Sequence, residues 1–587
     1  MDNNKEYRNK TYKDAGVKSG ITAKAMIVIL ALILALAMTL SSCTQASDAA
    51  GTVVTTAAEA ADNAVSKSEM FTERDLSGDY DESGAETITL NGSGAETSAS
   101  SGVSIDGSTV TITEEGVYIV SGTLTDGQIV VDATEEAKVQ IVLNGASITS
   151  SASAALYVKS ADKVFLTTAA GTDNTLANGG SFTADGDTNI DGAVFAKDDI
   201  TFNGSGSLTI TSPAGHGVVG KDDVKIAGGA VNITAAKHGI QANDSVRVAE
   251  ADVTITSGTD KDGIHVSDDA DEEEGTESDS FFYMADGSLT ITSDDDGIHA
   301  DASVIIEGGT INITKSYEGI EGLSISISGG SVTLTAADDG LNAAGGNASS
   351  GSQTFGSDDW GGGFPGGGFN DGGTDGSIVI SGGNVHITAG GDGIDSNGAV
   401  EISGGYTVIE GPSYGDTSVL DYNSTAAITG GTFIGTGGAG LAENFSSASQ
   451  GLIAVSVGNQ SAGQTVTLKD AAGSVIAETT PALDYAVVYI STEDMAQGET
   501  YALTAGSYSE SITLSDIMYS TLSDGMGGSF GGGGPRGGMN GQMPEGAPDG
   551  MQGGPGQGGM HGGPHGNSGS GGTDGVTGAT QMDGIQG

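Results

Sequence analysis

The chain has 587 residues, of which 100 are Gly, and its 77 Asp plus Glu outweigh 20 Lys plus Arg to give a formal net charge of −57. That balance excludes a nucleic-acid binder, which needs a basic footprint to displace counterions, and points to cations as partners. The glycines keep no strict third-residue period, so collagen is excluded. The single Cys excludes a disulfide scaffold, a thiolate zinc cluster and a redox pair.

Residues 1–42 read as a lipoprotein signal peptide. Lys5, Arg8, Lys10, Lys13, Lys18 and Lys24 precede the apolar run Ala25–Leu40, and Leu40-Ser41-Ser42 leads into Cys43. The segment resembles the bacterial lipoprotein signal, in which the Cys is lipidated and becomes the new N-terminus. An uncleaved membrane anchor is the alternative. Either way the bulk of the chain is expected on the extracellular face of the cytoplasmic membrane, held by the lipid on Cys43. Residues 43–85 are rich in Ala, Ser, Thr, Asp and Glu with little periodicity and read as a disordered tether.

From residue 86 short alternating runs appear, such as Val117-Tyr118-Ile119-Val120 and Val139-Gln140-Ile141-Val142-Leu143, each bounded by Gly, Asn or Asp. These are strand signals. A repeat then begins, aligned on a Gly-apolar pair at Gly192, Gly217, Gly239, Gly263, Gly297, Gly319, Gly340 and Gly393. The base period is about 22 residues, and insertions at Asp268–Ser280 and Gly345–Gly376 lengthen two units. Each unit offers three short strands. The spacing predicts an all-β fold, a right-handed parallel β-helix over 86–445, whose stacked coils share one core. About twelve coils at ~4.8 Å each make a stack ~55–60 Å long. Residues 446–520 lose the repeat but keep strand patterns, as in Ala486-Val487-Val488-Tyr489-Ile490, and predict a small β domain that caps the last coil. Residues 521–587, of Gly, Met, Pro, Gln and His, read as a disordered tail.

Equal positions of successive coils lie above one another. The residue before each repeat glycine therefore forms a column that includes Asp262, Asp296, Glu318, Asp339 and Asp392, thickened by Asp294, Asp295 and Asp338. Carboxylates ~4.8 Å apart repel by about 1 kcal/mol in water and several times more at lower effective dielectric. No Lys or Arg occurs from residue 316 to 468 to offset this. The compensating cation must come from solution, and hard carboxylate oxygens suit Ca²⁺. For any one Asp-Gly pair an ordinary turn is the competing explanation. Two positions after the glycine, His265 and His299 are neighbours. A polar groove position in contact with carbohydrate is expected for them, with a transition-metal site as the alternative. Trp360 and Phe364, in the Gly-rich insertion, are candidates for stacking on sugar rings.

The stretch Val117–Val131, together with Val139–Ile148, Ala155–Val164 and the Asp-Gly-Ile coils, is similar to the carbohydrate-binding domain family of clostridial surface β-helix proteins. Members bind cellulose and acidic sugars such as polygalacturonate on a pectate-lyase-like fold. The resemblance implies calcium at Asp262, Asp295, Asp296, Glu318, Asp338, Asp339, Asp392 and Asp395. It implies acidic or plant cell-wall polysaccharide as partner. The first expectation is a non-catalytic binding module, acting as a monomer. The alternative is a calcium-dependent polysaccharide lyase working by β-elimination, for which the base would be Lys261 or Lys315. A surface adhesin with structural calcium is the third possibility.

Overall fold

The computed structural model describes residues 65–268, 278–343, 376–411 and 417–522. Its core is a parallel β-helix. One coil consists of Ile240–Ala242, Ser245–Val248 and Asp252–Thr256. The next consists of Ile264–Val266, Phe281–Met284 and Ser288–Thr292. Each strand pairs in parallel with its equivalent, Ile240 with Ile264, Val246 with Phe282 and Val253 with Leu289. Repetition gives three ladders, named here by their order within a coil. In the first ladder Val218, Ile240, Ile264, Ile298, Ile320, Leu341, Ile394 and Leu420 stack as one buried interior column. Period-2 alternation sends every second residue inward, so this column meets those of the other ladders in one continuous core.

The repeat glycines are required for space rather than for turning. A Cβ on Gly239 would lie 2.2 Å from Ile255 Cγ2 and 2.6 Å from the Gly263 carbonyl, and Gly263 and Gly297 are equally confined. By contrast, the Gly-Gly pairs between the second and third ladders need a left-handed backbone, with φ of +79° at Gly309, +76° at Gly330 and +77° at Gly405. The glycine alignment is one residue out at its first unit. Val194 stacks on Val218, so Phe195, not Val194, shares the outward column with Val219.

The expectation of a tether reaching residue 85 is corrected. From Lys67 the chain is packed across the outside of the second ladder. Two one-turn helices, Lys67–Met70 and Glu73–Leu76, are closed by capping boxes at Ser66/Glu69 and Thr72/Asp75. Phe71 is buried against Tyr283, and Arg74 lies over the Phe165 ring. Asp75 is fully buried, 2.8 Å from Lys163 Nζ, and accepts the Thr201 hydroxyl at 2.9 Å. The arm follows one column of the ladder, Gln140, Phe165, Thr201, Lys225, Arg247 and Tyr283.

At the far end the parallel order stops. Tyr485–Ser491 pairs antiparallel with Thr432–Gly437, the last strand of the third ladder, and with Leu452–Gln460. A separate antiparallel sheet, Val475–Thr479, Val466–Lys469, Thr500–Ala505 and Tyr508–Thr513, packs with them around a second apolar cluster. The expectations for Cys43, for the leader, for Trp360 and Phe364, and for the tail beyond Leu522 lie outside the described residues.

Candidate functional site

Two outward columns run side by side along the first ladder. One holds the residue before each glycine. The other, two positions after the glycine, is tied by register through Val219, Gln241, His265, His299, Glu321, Asn342, Asp395 and Asp421. Its chemistry changes along the stack from apolar, through imidazole, to carboxylate. The first column is locked by its own backbone. The Gly263 amide donates to the Asp296 carbonyl, Gly297 to Glu318, Gly319 to Asp339 and Gly340 to Asp392.

The side chains of the first column add a second lock. Asp262 Oδ1 accepts the Asp296 amide at 3.1 Å, Asp296 Oδ1 the Glu318 amide at 3.3 Å and Asp339 Oδ1 the Asp392 amide at 2.6 Å. Asp392 Oδ1 accepts the amide of Ser418. Each of these aspartates thus spends one oxygen on the next coil, while the other faces His238 and His265 at Asp262 and His299 at Asp296. The ordinary structural explanation accounts for one oxygen of the pair.

The oxygen-rich end lies around Asp339, Asp392 and Asp395, whose ligand atoms fall within 4.8 Å of one another. Burial pushes Asp339 up to about 8, helped by Asp338 and Asp392. Burial likewise takes Asp392 to about 7, with Asp395 and Asp421 adding to it, and Asp395 to about 6. Glu318 is raised to about 9 by burial and by Asp296 and Glu321. At neutral pH Asp339 and Glu318 therefore hold protons unless another cation replaces them.

Two further observations fit a hard cation. Asn342 donates through Nδ2 to Glu318 at 2.7 Å, yet its buried Oδ1 has no hydrogen-bond partner among the described residues. Asp338 Oδ1 and Asp339 Oδ1 converge above Gly391, each 2.3 Å from where a Cβ would stand. A side chain there would fill the cradle. The donor set of carboxylate and amide oxygens is the one Ca²⁺ takes.

The nitrogen-rich end is a stack of four imidazoles, His216, His238, His265 and His299, with centroids 5.2, 4.5 and 4.8 Å apart and planes within 21°. Asp262 lies between His238 and His265, its Oδ2 3.3 Å and 2.6 Å from their Nδ1 atoms. Burial favours the neutral acid, but the two histidines prevail and hold Asp262 well below the usual carboxylate range. His299 contacts Glu321 Oε2 at 2.5 Å and Asp301 Oδ1 at 3.0 Å. Burial works against its charge, yet Asp296, Asp301 and Glu321 raise it well above the ordinary histidine value.

The expected acids therefore divide. Asp262, Asp296, Glu318, Asp339 and Asp392 share the column, Asp395 stands in its neighbour, and Asp295 and Asp338 flank it. Asp294 does not thicken the column, because it is drawn into an ion pair with Lys315. Lys315 is mostly exposed, and neither it nor Lys261 belongs to the Asp339 cluster.

Sequence reasoning missed Tyr317, which is 42% exposed and hydrogen-bonded to Asp338. It also missed Asp421. That coil carries Val419 where the others have glycine, so an alignment on glycine passes over it. The register was the signal that could have found it.

Residues 106–359 match the family model described as carbohydrate-binding domain-containing protein. A protein of Acetivibrio thermocellus with the same description is 38% identical over 136 residues, or 23% of this chain and 48% of that relative. The match thus spans about half of the relative's length. A solved structure described as a polysaccharide lyase-like protein from C. thermocellum, gadolinium derivative, is 30% identical. The alignment covers 44% of this chain and 96% of that one, with a TM-score of 0.36. Over residues 106–359 the chain is therefore similar to the carbohydrate-binding domain family.

Proposed function

We propose that the protein is a lipid-anchored surface module that binds acidic polysaccharide through calcium, without catalysis. The observation that carries the reading is the Asp339–Asp392–Asp395 cluster, with its convergent carboxylates above Gly391 and the spare oxygen of Asn342. A chain of net charge −57 repels a polyuronate, and calcium would supply the positive charge that both sides lack. Asp338, Asp339, Asp392 and Asp395 hold the ion, with Asn342 and Glu318 beside them. Tyr317 offers an exposed ring next to Asp338 on which a sugar face stacks.

Retention on immobilised polygalacturonate tests this. The full chain is expected to bind in millimolar Ca²⁺ and to elute with EDTA. Asp339→Asn combined with Asp395→Asn is expected to abolish retention while the circular dichroism stays that of a β-helix. Release of unsaturated uronate, followed by its ultraviolet absorbance and lost in Lys261→Ala or Lys315→Ala, would replace the binding reading with the lyase one. Absence of retention on any polysaccharide would leave the adhesin.

A further inference from the structure

We propose that His238, Asp262 and His265 form a second metal site, selective for a borderline transition cation such as Zn²⁺ and separate from the calcium cluster. One ligand atom from each of the three lies within 4.8 Å of the others. The group is partly covered, with His265 a quarter exposed and His238 and Asp262 nearly buried.

Stacking of like rings between coils is the competing explanation, and it does not account for the polar geometry. His238 belongs to the column before the glycine and His265 to the column after it, yet both rings lean over one carboxylate. The Asp262 amide donates to His238 Nδ1 at 3.0 Å, so that nitrogen carries a lone pair. Asp262 Oδ2 lies 3.3 Å from the same nitrogen. The amide and the carboxylate of Asp262 thus meet the same ring nitrogen, and a cation bound there takes the lone pair that the amide otherwise occupies. Ligands on a tetrahedral Zn²⁺ with bonds of ~2.0–2.1 Å stand about 3.3 Å apart. The His238–Asp262 separation already has this value, and the 2.6 Å between His265 and Asp262 needs to open by less than an ångström.

Donor type separates the two sites. Imidazole with one carboxylate suits zinc, cobalt, nickel or copper, whereas Ca²⁺ takes oxygen. Asp262 Oδ1 is occupied by the Asp296 amide and Oδ2 faces the histidines. Asp262 therefore belongs with the nitrogen donors and leaves the calcium set. Binding displaces the Nδ1 proton of His265 to solvent, and the exposed side of His265 leaves a coordination position for water or a sugar hydroxyl.

Cobalt(II) serves as the probe because tetrahedral nitrogen and oxygen ligation gives visible absorption bands. The metal-free full chain is titrated with Co²⁺ in a background of His561→Gln and His565→Gln, which removes the histidines of the C-terminal segment. One equivalent is expected to bind with visible bands, to be displaced by Zn²⁺ and to resist millimolar Ca²⁺. His265→Gln and His238→Gln are each expected to weaken binding at least about tenfold, while His386→Gln leaves it unchanged. Calcium-dependent retention on polygalacturonate is expected to survive His238→Gln, so this site and the calcium site fail independently. Displacement of Co²⁺ by Ca²⁺, or full binding by a correctly folded His265→Gln protein, overturns the proposal.

Discussion

At the scale of single residues, the repeat glycines and the acids before them do different work. The glycine is fixed by a neighbouring carbonyl and a third-ladder side chain, and Val419 shows the rule by breaking it. Val419 sits at the glycine position of the last coil, where Gly435 and Gly437 of the third ladder give it room. The column of acids was legible because a fixed period places equal residues above one another. Tyr317, Asn342 and Asp421 were not, because their roles depend on neighbours from other coils and on a register that the glycine count does not carry. Gly391 belongs to this second group: nothing in its sequence context marks it, yet two carboxylate oxygens converge over it. Gly391→Ala is expected to lower calcium affinity at least about tenfold and leave the β-helix intact. Isothermal calorimetry with Ca²⁺, read beside the far-ultraviolet dichroism, checks this. Unchanged affinity would mean that the cradle holds no ion.

At the scale of elements, the strands were legible and the arm was not. Alternation and turn residues mark strands directly, because each strand is half-buried with period 2. The arm from Ser66 to Ser77 is too short for a helical period, and its composition matches a tether. Its signal was local: Ser66-x-x-Glu69 and Thr72-x-x-Asp75 are both capping boxes. Asp75 makes the arm sensitive to pH. Burial raises its pKa, but Lys163 and the Thr72 and Lys225 contacts outweigh this and bring it down to about 2. A carboxyl depressed in the folded state stabilises fully above its unfolded value near 4 and loses that contribution as pH falls through about 2. Amides of residues 66–77 are therefore expected to lose hydrogen-exchange protection between pH 4 and 2, before the coils do. Asp75→Asn removes the nearest carboxylate from Lys163, leaving Lys163 to Asp199 at 3.6 Å and Lys225 to Asp223 at 3.5 Å, and is expected to cost the arm about 2 kcal/mol. Exchange of the arm at pH 7 would rise while the ladders stay protected. Equal protection in wild type and variant would show that the ion pair does not hold the arm.

At the scale of the whole described fold, a solenoid has two ends, and each end exposes unpaired strand edges that invite association. The period announces the stack but is silent about how it stops, since the terminating strands carry no repeat. Here the stop is a reversal of direction: Tyr485–Ser491 runs antiparallel along Thr432–Gly437 and brings its own apolar cluster with it. Ile434 shows what the cover does. Its side chain is buried in that second cluster rather than in the coil interior, so removing the cover exposes both an edge and an apolar surface. A chain ended at Phe445 is therefore expected to keep its coils and to associate through the Thr432–Gly437 edge, eluting as dimers or larger species in size-exclusion chromatography. Ile434→Lys in that shortened chain places a charge on the freed surface and is expected to restore the monomer, as charged side chains do on natural sheet edges. If the shortened chain is monomeric without the lysine, the reversed strand is dispensable for solubility. If the shortened chain unfolds instead, the antiparallel strand stabilises the stack as well as closing it.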